Sequence, residues 1–369
     1  MGTGKYNDGV YATRVATAHA TGASLFTHDA DVTSGKVDNK VHPLLDPSKL
    51  NSVGKLVRES FDSPDHPESL AVALGWDTTG SMQQVPEIFA QRLHKVMAML
   101  IKKGYVKHPQ IMMAAYNDAT TSAMCPLQVG QFESGNEMDD CLTKIRREGG
   151  GGGHITESAE LLMYFLARHT DMDCVNKRGD KGLCFIIGDE LMYPTVDPHQ
   201  VERIIGDRIQ APILVSPDYV SAEMIADPKD TRVPRIKALH CKSILKAEGD
   251  LLSELREKFE VHWIMPGGTS NYNNDEVVAP LKAMFGENFH RLDKPEDICE
   301  FLVMIIGVSR GFDIHDIRGD IVASGGDRAS ADRSTTALAA YSSTRSVTRT
   351  ATTSGTLIKQ ASNDGVDRL

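Results

Sequence analysis

The stretch Leu74-Gly75-Trp76-Asp77-Thr78-Thr79-Gly80-Ser81-Met82 places one carboxylate and two hydroxyls, on Asp77, Thr79 and Ser81, at alternate positions. Donors made only of oxygen suit a hard divalent cation, magnesium first, rather than zinc, which favours nitrogen and sulfur. Manganese and calcium accept the same oxygens. Two further segments carry matching chemistry. Gly149 to Gly153 form a five-glycine run followed by His154-Ile155-Thr156-Glu157-Ser158, and Cys184-Phe185-Ile186-Ile187-Gly188-Asp189-Glu190 is an apolar run ending in acids. A glycine loop can swing far enough to bring the Thr156 hydroxyl to another segment. If the runs are parallel strands, Asp77, Thr156 and Asp189 share one sheet edge, and their oxygens converge on one metal. The same residue types also cap helix N-termini, so a capping cluster is the competing reading. Asp118 reads as a loop residue and Glu190 as an additional acid.

The elements that would position these groups follow from periodicity. Short apolar runs alternate with longer amphipathic ones from about residue 69, the pattern of an α/β domain with a Rossmann-like, doubly wound, mostly parallel sheet and helices on both faces. Strands are expected at Leu70–Trp76, Gln110–Tyr116, Leu127–Phe132, Leu183–Ile187, Val261–Met265 and Asn288–Leu292. Helices are expected at Pro86–Lys103, Asn136–Glu148, Glu157–His169, Pro198–Ile209, Asp250–Phe259, Glu276–Phe285 and Pro295–Val308. In such a sheet, loops at the carboxyl ends of central strands bind ligands.

Three segments stand apart from this core. Residues 1–68 read as an N-terminal arm, with Val41-His42-Pro43-Leu44-Leu45 as a candidate anchor. Residues 210–248, with Pro212, Pro217, Pro228 and Pro234, are too long for an ordinary connection and read as an insertion, either a lid or a surface elaboration. Residues 311–369 read as a disordered tail, since 12 of the 21 residues from Ser334 to Ser354 are Ser or Thr.

The Asp-x-Thr-Gly-Ser-Met stretch resembles the metal-ion-dependent adhesion site of von Willebrand factor A domains. With it go Tyr116-Asn117-Asp118, the glycine run with Glu157-Ser158, and Ile187-Gly188-Asp189, in that order along residues 69–310. The pattern is most similar to intracellular and bacterial members of that family. The resemblance implies that Thr79 and Ser81 bind a metal directly, Asp77 through water or an oxygen contact, Asp189 usually through water, and Thr156 from the second loop, the register of the glycine run being open by a residue. It also implies a function: a partner protein supplies a Glu or Asp to the metal. Bacterial members often work beside a MoxR-class AAA+ ATPase, which makes such an ATPase the expected partner.

Composition bounds the alternatives. The net charge of −10 argues against a nucleic-acid backbone as partner, and no apolar run has the length of a membrane span. The N-terminus lacks the apolar core of a signal peptide, and Tyr6 stands where a myristoylation site wants Ser or Thr. Cys125, Cys141, Cys174, Cys184, Cys241 and Cys299 form no CxxC pair and read as reduced thiols of a cytoplasmic protein. No GxSxG, P-loop or nucleophile–base pair is present, and His154 is the one histidine near the acids, so an enzyme is not expected. A metal-dependent hydrolase is the weakest alternative. A metal-independent homo-oligomer held together by the arm and tail is the stronger one.

Overall fold

The computed structural model describes residues 4–82, 84–151, 155–219 and 249–345. Its centre is β1, Leu70–Asp77, in which every residue is buried. Around it lie β2 (Pro109–Tyr116), β3 (Leu127–Glu133), β4 (Gly182–Ile187), β5 (Phe259–Pro266) and β6 (Phe289–Leu292), in the spatial order β3-β2-β1-β4-β5-β6. All neighbours are parallel except β3, which runs antiparallel to β2 at one margin. A central strand covered on both sides has no use for alternation, which is why these strands read as continuous apolar runs.

The helices that cover the sheet are α1 (Asp8–Thr21), α2 (Gln84–Lys102), α3 (Ala159–Arg168), α4 (Leu251–Lys258), α5 (Asp275–Phe285), α6 (Ile298–Ser309), α7 (Ile314–Ala323) and α8 (Arg328–Ala337). Adjacent residues of β1 show that they form two layers. A side chain on Gly75 would run into Leu162 of α3, whereas the next residue, Trp76, lies with its ring centroid 5.5 Å from that of Phe89 on α2. Consecutive strand residues point to opposite faces, so α3 and α2 lie on opposite sides of the sheet. Helices α1, α6, α7 and α8 continue the α2 group, and α4 packs on α3.

The arm is tied down along its length. Helix α1 packs on α2, with the Tyr11 hydroxyl donating to the Ala90 carbonyl at 2.7 Å. Leu45 is buried, and its carbonyl accepts from the Val129 amide on β3 at 2.7 Å, while Leu44 is exposed. Arg58–Ser60 then pairs in parallel with Thr170–Met172.

Three expectations need correction. The helix expected over Asn136–Glu148 spans only Glu137–Thr143, and the one expected to begin at Glu157 begins at Ala159, because Thr156–Glu157 forms a two-residue strand beside Leu191–Met192. The first part of the expected tail is folded. Ile314, Ile317 and Ile321 recur on one face of α7 and are buried, as are Ala331, Leu338 and Tyr341 after it. That apolar stripe outweighs the Ser/Thr content, and two of the α8 hydroxyls are satisfied locally: Thr335 and Thr336 donate to the carbonyls four residues back. The rest of the tail, 346–369, and 220–248 of the insertion lie outside the described residues. Residues 210–219 are docked, with Ile213–Leu214 paired to Thr195–Val196 and the Tyr219 hydroxyl donating to the Met192 carbonyl at 2.7 Å.

Candidate metal centre

Strands β1 and β4 are neighbours at the point where the strand order reverses, and both end at the same sheet edge. That edge is where an open α/β sheet leaves a crevice. Asp77 closes β1 and is fully buried. One of its oxygens accepts from the Thr79 amide at 2.6 Å and the other from the Thr79 hydroxyl at 2.9 Å. The loop is pinned from both sides. The Thr78 amide and hydroxyl donate to the Tyr116 carbonyl of β2, and the glycine run docks on the loop through Gly149 N to Thr78 O at 3.1 Å and Gly80 N to Gly150 O at 3.0 Å. Gly149, Gly150 and Gly151 all have φ between 68° and 135°, a region that side chains oppose. Gly150 and Gly151 are therefore a shaped wall of the site.

Ser81 reaches across to the neighbouring strand. Its hydroxyl donates to Asp189 Oδ1 at 2.8 Å, 108 residues away in sequence, and lies 3.4 Å from the Thr79 hydroxyl oxygen. Capping accounts for Asp77 with Thr79, but it does not account for this link. Gly188 brings Asp189 close: a side chain there would collide with the Tyr116 hydroxyl, which sits 3.3 Å from the Ile187 carbonyl. The Trp263 indole holds the same turn by donating to the Gly188 carbonyl at 3.1 Å.

Above these groups lies an open cleft of about 370 Å³, lined by Thr79, Ser81, Gly150, Gly151, Ile155, Glu157, Glu190, Ser270 and Asn271. Asp77, Thr79, Ser81 and Asp189 are thus brought together. Thr156 is buried one residue from the cleft, between the lining residues Ile155 and Glu157, and strand alternation turns its side chain away from theirs. Glu157 occupies the position that the sequence reading gave to Thr156. The open register of the glycine run was the signal for it. Ser270 and Asn271, from the turn after β5, carried no sequence signal at all.

Burial and mutual repulsion govern the electrostatics. Asp77 is held well above the usual carboxylate range by burial, opposed by the two Thr79 hydrogen bonds and reinforced by Asp189 and Glu190. Asp189 is raised by burial, with the Ser81 hydroxyl working against it. Glu157 is pushed up to about 11 by burial, Asp77 and the adjacent Glu190. Glu190 is raised to about 7, again chiefly by burial. Burial and these four acids together push the Tyr116 phenol up.

The donor set fits a hard divalent cation. Asp189 Oδ2, Glu157 Oε2 and Glu190 Oε2 are buried oxygens with no hydrogen-bond partner. The Thr79 and Ser81 hydroxyls spend their protons on carboxylates, which leaves their lone pairs for a cation. Among the described residues, no group of three or more His, Cys, Asp and Glu is arranged to hold a metal. The set here instead mixes hydroxyls with acids. Asp118 does not join it: its carboxylate accepts from the Thr120 amide and hydroxyl and from the Tyr193 hydroxyl at 3.1 Å, which orders the loop after β2. His154 lies outside the described residues.

No helix among the described residues is long and apolar enough to cross a membrane. Five of the cysteines are buried and unpaired, and Cys241 is outside the described residues.

No protein-family model matches this chain, and no curated protein does. Among solved structures, the chain is similar to the pilus adhesin SpaC of Lactobacillus rhamnosus GG in its open conformation, with a TM-score of 0.42 and 8% identity. That match covers 68% of this chain and 31% of the adhesin. A second structure of the same adhesin gives a TM-score of 0.42 and 9% identity, over 68% of this chain and 32% of that one. The chain therefore spans about a third of the adhesin's length, and a likeness at this level carries no inference about activity.

Proposed function

We propose that this chain is a protein-binding module of the von Willebrand factor A type, doubly wound, in which Asp77, Thr79, Ser81 and Asp189 hold a magnesium ion that a partner's Glu or Asp completes. The observation that carries the reading is the Ser81–Asp189 hydrogen bond beside buried carboxylate oxygens that have no partner. Buried acids without cations are costly, and nothing in a purely structural role requires them. The strand order, with its antiparallel margin and its site at the reversal, is what such a module needs to present a metal at the surface.

Each residue has a part. Asp77 fixes the Thr79 backbone and hydroxyl, Ser81 is oriented by Asp189, and Gly150 and Gly151 line the cleft without side chains to fill it. A magnesium ion bound there supplies Lewis acidity and a coordination position open to a carboxylate. Manganese or calcium could replace it. A protein partner, of the MoxR ATPase class by the family resemblance, is part of this proposal, as is a cytoplasmic setting and a binding rather than enzymatic role.

A thermal melt tests the reading. A cation bound only by the folded state raises stability by RT ln(1 + [L]/Kd), about 2.7 kcal/mol at a hundredfold excess over Kd. The melting temperature is expected to rise with magnesium or manganese and to fall back with chelator. Indifference to both, with an oligomer that also ignores chelator, would favour the metal-free assembly reading.

A further inference from the structure

The loop after β5 is held more firmly than a connection to α5 requires. The Gly267 amide donates to the Leu292 carbonyl at 2.6 Å, and a side chain on Gly267 would collide with Asp293. Arg291 lies 4.1 Å over the Tyr272 ring and donates to the Tyr272 carbonyl at 2.8 Å and to Asn273 Oδ1 at 2.7 Å. Asn274 caps α5, its Oδ1 accepting from the Glu276 amide at 3.1 Å. Only its Nδ2 then remains for Asn271, which accepts through Oδ1 at 3.3 Å. The cap thereby settles how the Asn271 amide is turned: Oδ1 is engaged by Asn274 and Nδ2 is left over. Among the described residues nothing accepts from Nδ2, and it is not one of the buried orphan atoms. Asn271 is 6% exposed and lines the metal cleft with Thr79 and Ser81, so Nδ2 opens on that cleft.

We propose that Asn271 is the residue that selects a carboxylate at this site: Nδ2 donates to the oxygen of the partner's Glu or Asp that the metal leaves unbound. The inference rests on the metal reading and adds to it how the partner's acid is held. A carboxylate that completes the cation places one oxygen on it and carries the other into a cleft that Glu157 and Glu190 line. Like charges repel there, and no Lys or Arg stands among the lining residues to offset it. The Thr79 and Ser81 hydroxyls already donate to Asp77 and Asp189. Of the side chains in the lining, Asn271 alone carries an amide, and its loop is fixed before any ligand arrives. A donor fixed in advance loses little freedom on binding. The Asn271 backbone amide also works on Asp189, opposing the rise that burial causes, which places the residue beside an acid of the metal centre.

The test uses the full chain loaded with manganese, and acetate as probe, at constant ionic strength. Broadening of the acetate methyl proton resonance reads a carboxylate on the paramagnetic ion, and water-proton relaxation reads manganese affinity. Saturable acetate binding is expected in the wild type and at least about tenfold weaker in Asn271→Ala, with manganese affinity the same within about twofold. Asn274→Asp keeps the helix cap but cannot donate, so the Asn271 amide turns to donate to it and Nδ2 leaves the cleft. Acetate should weaken there as well, although Asn271 is intact. Equal acetate binding in the wild type and either variant, or none in the wild type with manganese bound, overturns the proposal and leaves the metal standing. So does a loss of manganese affinity that matches the loss of acetate in Asn271→Ala, since the side chain would then only hold the loop. Manganese that never saturates the wild type removes the metal reading, and this inference with it.

Discussion

At the residue scale, the chain holds two kinds of buried titratable group, and they respond to pH in opposite directions. His262 and His290 are buried, with ring nitrogens 3.0 Å apart, between Phe185, Phe301 and Tyr341. Burial pushes the His262 imidazole down to about 3 and His290 well below its usual range. Glu260 lies 3.3 Å from His262 Nε2 and is also engaged by the Tyr341 hydroxyl and by Arg345. A depressed imidazole is neutral when folded and takes up a proton near pH 6.5 when unfolded. The stability it contributes is present above that pH and is lost as pH falls toward the folded value. His262 should therefore cost about 2 kcal/mol at pH 5 relative to pH 7, and His290 works in the same direction. Denaturant midpoints at the two pH values read this, and His262→Phe should flatten the dependence. The site acids run the other way. Glu157 is raised, so its contribution is complete below about pH 4.5 and is lost as pH rises. Without added cation, Glu157→Gln should raise the melting temperature at pH 8 and change it little at pH 4. A drop at pH 8 would mean that the carboxylate is already satisfied within the chain.

At the scale of elements, close packing at glycines positions the site. A methyl on Gly75 would approach Leu162 Cδ2 to 2.2 Å, so Gly75→Ala should push α3 from β1 and cost about 1–3 kcal/mol. Chemical denaturation reads the loss, and adding Leu162→Ala should recover part of it if the clash is the cause. The six long strands and most helices were legible in the sequence because each is a continuous apolar run or an amphipathic one with clear stops. Asp77 and Asp189 were legible with them, since each follows an apolar run directly. The short pairs, Thr156–Glu157 with Leu191–Met192 above all, were not. Two residues have no periodicity, and their pairing is decided by segments far apart in sequence. For that reason Glu157 was found in place of Thr156, and Ser270 and Asn271 were found only in the fold.

At the scale of the molecule, the segment after α6 belongs to the core. Arg333 makes a two-pronged contact with the nearly buried Asp297, and Tyr341 packs edge-on against both histidines of the pair. Composition hid this, because a Ser/Thr-rich window masks a few well-spaced isoleucines and one tyrosine. A chain ended at Arg310 exposes the α6 face and leaves Asp297 buried without its partner. It should lose several kcal/mol or fail to fold, as read by circular dichroism melts against the full chain. An unchanged melting temperature would place these helices outside the cooperative unit.

The central claim is that hydroxyls and acids from β1 and β4 hold one divalent cation, and isothermal titration of magnesium into wild type, Asp77→Ala and Ser81→Ala tests it most directly. Saturable binding near one equivalent is expected in the wild type, with affinity at least about tenfold weaker in each variant and both variants still folded by circular dichroism. Equal binding in all three proteins, or no heat from the wild type at any magnesium concentration, would contradict it.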